Sequence, residues 1–268
     1  MLTIKKQFLH LMNHTLLAMF TTPLTLLLFG AWRGVTFNGP NYLLLFMLYL
    51  FLMFTHALER LLSKSEQSGA KLPYKMILFF GILSIGTLTI IFSLSNVILV
   101  AILLLYFIYL ILQFYPYSMT TTFYEILLRP FFKILILSSV SFFSQANFIP
   151  LQLQYELLPL ILFHIFGLIQ IQIKNTTDSD RPMTYYRQQL LKHSKSLKMT
   201  SFMLAYAAAI FQIFNLSSSL WAISLFGLST LLVFPLFNRR FQAGLRIEQY
   251  LSNYSFLFTL SYSLLFLV

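Results

Sequence analysis

The sequence predicts an all-α fold: a polytopic membrane helical bundle of about nine transmembrane helices with a cytoplasmic N-terminus. Three observations carry this. Of the 268 residues, 58% are hydrophobic and only 9% charged, and the mean hydropathy is +0.78. Apolar runs of 17 to 22 residues recur from end to end. Lysine and arginine gather in alternate connections between those runs. A helix needs about 20 apolar residues to cross the hydrocarbon core, and only helices and closed barrels satisfy their backbone groups there. The runs are continuous rather than alternating, which argues for helices over a barrel.

In order, the chain opens with MLTIKKQF, which puts Lys5 and Lys6 before the first apolar run. No small-residue cleavage site follows, so that run is read as a span rather than a signal peptide. The nine spans are 11–30, 41–57, 76–92, 97–115, 131–147, 150–171, 199–215, 218–236 and 250–268. Connections as short as 93–96 and 215–218 join antiparallel hairpins. The longer connections are 58–75, 116–130, 172–198 and 237–249, all expected on the cytoplasmic side. No internal repeat and no low-complexity linker interrupts the chain, so one membrane domain over 1–268 is expected.

With the N-terminus inside, 17 of the 18 basic residues lie at cytoplasmic segments, and only Arg33 does not. That is the positive-inside bias. It also explains the formal charge of +11 without a nucleic-acid partner. The chain has no cysteine, which excludes disulfides, thiolate catalysis and cysteine-bound metals. The expected location is the inner or plasma membrane of a bacterium, with an organelle membrane as the alternative.

Polar chemistry concentrates in 172–198, which holds two aspartates, six cations, a histidine and two adjacent tyrosines. Asp178 and Asp180 can turn toward one ion, or pair locally with Arg181 or Lys174. Glu59 and Glu66 are spaced to share a helix face, and a local pair with Arg60 or Lys64 is the plainer account. Arg181, Arg187, Lys192, Lys195 and Lys198 suit a diphosphate, anionic lipid head groups, or topology alone. Tyr185 and Tyr186 fit a cation–π role or an interfacial belt. His164 sits at membrane depth, where an ionisable group is a functional candidate. Gln113, Tyr115, Tyr117 and Glu125 flank the third large connection and could line an acceptor pocket. Transport is disfavoured, because His164 is central and no paired intramembrane charges are visible. Thirty phenylalanines against nine glycines suit lipid and partner packing more than glycine-mediated helix contacts.

Three stretches resemble the UbiA superfamily of intramembrane prenyltransferases: FMLYLFLMFTHALERLLSKSE, FYPYSMTTTFYEILLRPFFKILILSS and IQIKNTTDSDR. The resemblance implies a prenyl diphosphate held through Mg²⁺ by two acidic motifs, then ionised to an allylic cation that a lipophilic acceptor captures. On this chain it implies Asp178, Asp180 and Glu59 as metal ligands. Arg181, Arg187, Lys192, Lys133 and His164 would bind substrate, and Tyr185 and Tyr186 would act at the cation. The pattern departs at Glu59 and Arg60, where the family has Asn and Asp, and at Gln172 and Asn175, where it has Asp. Two functions follow: prenyl transfer, or a catalytically inactive membrane subunit that scaffolds a complex with membrane-protein partners or binds membrane lipids.

The orientation is directly testable, because there is no native cysteine to give background. In intact cells, a membrane-impermeant maleimide is expected to label Arg33→Cys and to reach Lys64→Cys only after permeabilisation. Labelling of Lys64→Cys in intact cells would reverse the assigned orientation.

Overall fold

Each apolar run forms a helix, since lipid offers no partner for an open backbone. The computed structural model describes residues 10–68, 73–115, 119, 122–177, 184–216, 219–237 and 246–266. The elements are α1 (Thr15–Asn38), α2 (Tyr42–Ser68), α3 (Tyr74–Leu94), α4 (Val97–Phe114), α5 (Phe123–Ala146) and α6 (Leu151–Thr177). They continue with a short α7 (Tyr185–Lys192), α8 (Ser194–Asn215), α9 (Leu220–Leu231, extended by Phe234–Phe237) and α10 (Ile247–Leu264). Among the described residues there is no strand, and eight helices are long and apolar enough to cross a membrane. The chain is an all-α integral membrane protein. Apolar side chains such as Leu78, Phe79, Ile82 and Ile85 stand exposed along α3, as lipid-facing residues must.

The helices outrun the apolar runs. α2 continues to Ser68 and α6 to Thr177, and α5 begins at Phe123 rather than 131. Segments expected as loops are therefore partly helical. Glu, Leu, Arg, Lys and Gln are good helix formers whether or not they lie in hydrocarbon. Hydropathy marks where the lipid ends, not where the helix does.

Two compact units divide the chain: Met1–Thr25 with Gln154–Val268, and Leu26–Leu153. In the first, the ninth expected span forms as α10, yet it is not among the eight strongly apolar helices. Its Asn253, Thr259, Ser261 and Ser263 are buried. Asn253 accepts from Thr21 Oγ1 at 2.8 Å and donates from Nδ2 to the Met12 carbonyl at 2.8 Å. The Tyr262 hydroxyl donates to the Glu156 carbonyl at 2.8 Å, and the Tyr206 and Tyr254 hydroxyls meet at 2.7 Å. Phe163 stacks on Phe258 with centroids 4.1 Å apart. A helix whose polar groups find protein partners does not need a wholly apolar surface.

In the second unit, α1 and α5 touch backbone to backbone. Gly30 and Gly34 stand four apart on one face of α1. A Cβ at Gly30 would lie 1.9 Å from the Ser138 carbonyl oxygen, and one at Gly34 would lie 2.8 Å from that of Phe142. The approach lets Ser138 Oγ donate to Leu26 O at 3.1 Å and Ser141 Oγ to Leu27 O at 2.8 Å. The expectation that glycine-mediated contacts matter little is thus corrected at this pair: glycines that are few overall are concentrated where two backbones meet.

Gly30→Val is expected to lower the thermal-unfolding midpoint in detergent, by the equivalent of about 1–3 kcal/mol or more for forced overpacking. Gly86→Ala in α3, where a Cβ meets nothing within 4 Å, is expected to leave the midpoint unchanged or raise it.

A buried ionic cluster as the candidate functional site

Charged side chains inside an apolar helix must be paired. In the second unit the chain arranges this between α2 and α5. α5 is a composite rod: an α-helical turn pair (Phe123–Pro130), a π-helical stretch (Phe131–Ile136) and an α-helical end (Leu137–Ala146). Pro130 has no amide hydrogen and crowds the carbonyl four residues back. The next amide, of Phe131, is shared between the Leu127 and Leu128 carbonyls, and the π-helical stretch follows. Such widened turns recur at functional positions. Glu125, Arg129 and Lys133 are spaced by four and so share one face of the rod.

That face meets Glu59 of α2. Arg129 Nη2 donates to Glu59 Oε1 at 2.6 Å, and Lys133 Nζ donates to Glu59 Oε2 at 2.5 Å. Arg129 Nη1 reaches Glu125 Oε1 at 2.6 Å. His56, one turn before Glu59, places Nδ1 3.5 Å from Glu59 Oε2. Glu59, Glu125 and Lys133 are each at most 4% exposed. With His56 neutral, two carboxylates balance two cations, so the cluster carries no net charge. Tyr109 of α4 stacks on Phe132 with centroids 4.0 Å apart, and it lies within electrostatic reach of Arg129, Glu59 and Glu125. One turn further along α4, Gln113 is 1% exposed, and neither end of its amide meets a hydrogen-bonding group among the described residues. Buried polar atoms of this kind take water or a small polar ligand.

Sequence reasoning placed Glu59 and Lys133 in one site as metal ligand and substrate-binding residue. The structure does bring them together, but against each other. The partners of Glu59 are Arg129 and Lys133, 70 and 74 positions along the chain, and not only neighbours such as Arg60 or Lys64. A carboxylate with both oxygens engaged by cations is poorly suited to a divalent ion, which needs those lone pairs. Among the described residues, no three His, Asp or Glu side chains converge as a metal site. The pairing sits where α2 and α5 run past the apolar spans 41–57 and 131–147, with Lys133 at the start of the latter.

The remaining candidates fall in the other unit. Thr184 caps α7 by accepting from the Arg187 amide at 3.4 Å. The adjacent tyrosines diverge: Tyr185 is 76% exposed, while the Tyr186 hydroxyl donates to Gln172 Oε1 at 2.5 Å. Arg187 is buried, Lys192 exposed and His164 half-buried in α6. Asp178, Asp180 and Arg181 lie outside the described residues. Arg129 and His56 had no assigned role from sequence, although the spacing of four through 125, 129 and 133 and of three through 56 and 59 was there to read.

No protein-family model, curated protein or solved structure matches this chain.

Removing one member of the cluster strands a buried charge. Lys133→Ala is expected to destabilise by about 3–5 kcal/mol, the usual cost of breaking a buried pair, seen as a large fall in the thermal-unfolding midpoint. Combining it with Glu59→Gln is expected to recover part of the loss, and a double-mutant cycle measures the coupling.

Proposed function

We propose that this chain is a catalytically silent integral-membrane subunit, UbiA-like in architecture, that binds lipid or holds a membrane partner and does not transfer a prenyl group. One observation carries the proposal: both oxygens of Glu59 are held by Arg129 and Lys133. In the resemblance, Glu59 stands where the first acidic motif would grip Mg²⁺. Bringing a divalent cation there would set further positive charge beside two buried cations and require breaking their bonds. The arrangement supports a helix lock rather than a diphosphate site. The exposed apolar faces of the spanning helices support contact with lipid or partner helices.

A second reading, Mg²⁺-dependent prenyl transfer, has one arrangement in its favour. The Tyr186 hydroxyl ties the start of α7 to Gln172 near the end of α6, on either side of Asp178 and Asp180 in the chain, and Arg187 of α7 is buried. Two aspartates there would supply oxygen ligands for an ion, with Arg187 on the diphosphate side.

The test is release of inorganic pyrophosphate from a prenyl diphosphate by the protein in proteoliposomes, a readout that needs no knowledge of the acceptor. Release at the level of empty liposomes, with or without Mg²⁺, is expected. Mg²⁺-dependent release that Asp178→Asn abolishes would overturn the silent reading in favour of the second.

A further inference from the structure

At the end of the second unit away from the ionic cluster lies a cavity of about 260 Å³. Three connections meet there: the turn between α1 and α2, the hairpin between α3 and α4, and the end of α5. Along α2, Asn41 is about 27 Å from Glu59 at the helical rise of about 1.5 Å per residue. We propose that this cavity is a binding site for the neutral, hydroxyl-rich head group of a glycolipid.

The lining chemistry selects the class. Asn38, Asn41, Asn96, Asn147, Ser144 and Gln145 supply its polar wall, and no Asp, Glu, Lys, Arg, His or Tyr lines it. In a chain with a formal charge of +11, this cavity has no charged side chain with which to hold an anion or a cation. Its donors and acceptors match a ligand that both gives and receives neutral hydrogen bonds. The volume equals the share of roughly nine waters at about 30 Å³ each, enough for one sugar ring and too small for a large cofactor. Phe143 and Leu99 add apolar wall, against which the C–H face of a sugar ring packs.

The amides are held ready. Asn41 Oδ1 accepts from the Leu44 amide at 3.2 Å and Asn96 Oδ1 from the Ile98 amide at 3.3 Å, so each caps a helix with its oxygen and keeps its NH₂ to donate. Buried Gln145 forms the floor: its Oε1 accepts from the Asn41 amide at 2.6 Å and its Nε2 donates to Ser144 Oγ at 2.8 Å. Two left-handed residues turn the chain at the rim, Gly39 at φ 78° and Asn147 at φ 63°. Glycine and asparagine are the residues that accept that conformation readily.

The surroundings say that the head group belongs to a lipid. Phe37, Tyr42, Val97 and Phe148, beside the lining residues in the chain, are exposed apolar side chains at the ends of spanning helices. An acyl chain attached to the bound ring would lie along them, whereas a free sugar would make no use of them. The inference does not depend on whether the ionic cluster excludes a metal.

The experiment uses the full chain in phosphatidylcholine nanodiscs, following the thermal-unfolding midpoint against octyl glucoside below its micellar concentration, free glucose, and inorganic phosphate. Octyl glucoside is expected to raise the midpoint saturably, glucose only at far higher concentration, and phosphate not at all. Asn41→Ser with Asn96→Ser keeps a capping oxygen at each helix start and deletes both amide donors. This pair is expected to weaken the glucoside effect at least about tenfold, the value of one or two neutral hydrogen bonds. On the unmodified protein, a photoactivatable glucoside is expected to crosslink within 37–44, 94–99 or 143–148, so the proposal does not depend on the variants folding. Crosslinking elsewhere, a shift with phosphate, or an effect unchanged in the double variant would overturn the site. Glucose acting as tightly as the glucoside would overturn its assignment to a lipid.

Discussion

A single carboxylate, Glu59, governs how the second unit is put together. It is buried at 3% exposure, where leaving a charge unpaired is costly. Two cations from α5 neutralise it, and those cations need a helix that delivers both to one place. Pro130 follows Arg129 and the π-helical stretch after it carries Lys133, so the irregular backbone sits where the pairing is made. The result fixes α2 against α5 in one register. Such a cluster is weak evidence for net stability, because desolvation offsets much of the attraction. Its clearer physical effect is that alternatives which break it leave charge stranded in an apolar environment.

The same unit shows a second way of placing polar groups among spanning helices. At its other end, asparagine, glutamine and serine side chains cap helix starts and brace one another without any charge. Between the two ends, α1 and α5 meet through Gly30 and Gly34, and serines close the contact onto backbone carbonyls. One end is neutral by pairing and the other by composition. That contrast is why a helix lock is proposed at the first and a head-group site at the second.

The first unit uses aromatic packing. Its core is a run of phenylalanine and tyrosine rings around Phe163, Tyr206, Tyr254 and Phe258, with tyrosine hydroxyls bonded to each other or to helix carbonyls. α10 carries much of this and is polar for a buried helix. Its Asn253, Thr259, Ser261 and Ser263 are buried against protein, away from lipid.

The sequence alone determined the class, the helical order and nearly every span, because transfer to hydrocarbon depends on the length and apolarity of a local run and on nothing distant. It also singled out Glu59 and Lys133 of the ionic cluster, which stand out in an apolar chain, and left Arg129 without a role. What it left open was their pairing. Local spacing favours Glu59 with Arg60 or Lys64, and only the packing of α2 on α5 brings residues 70 and 74 positions away into contact with it. The ends of the helices, the close approach at Gly30 and the amide-walled cavity were equally undecided by the chain order. Each depends on which surfaces meet, and contact between helices is a property of three-dimensional packing that a one-dimensional pattern of polarity does not contain.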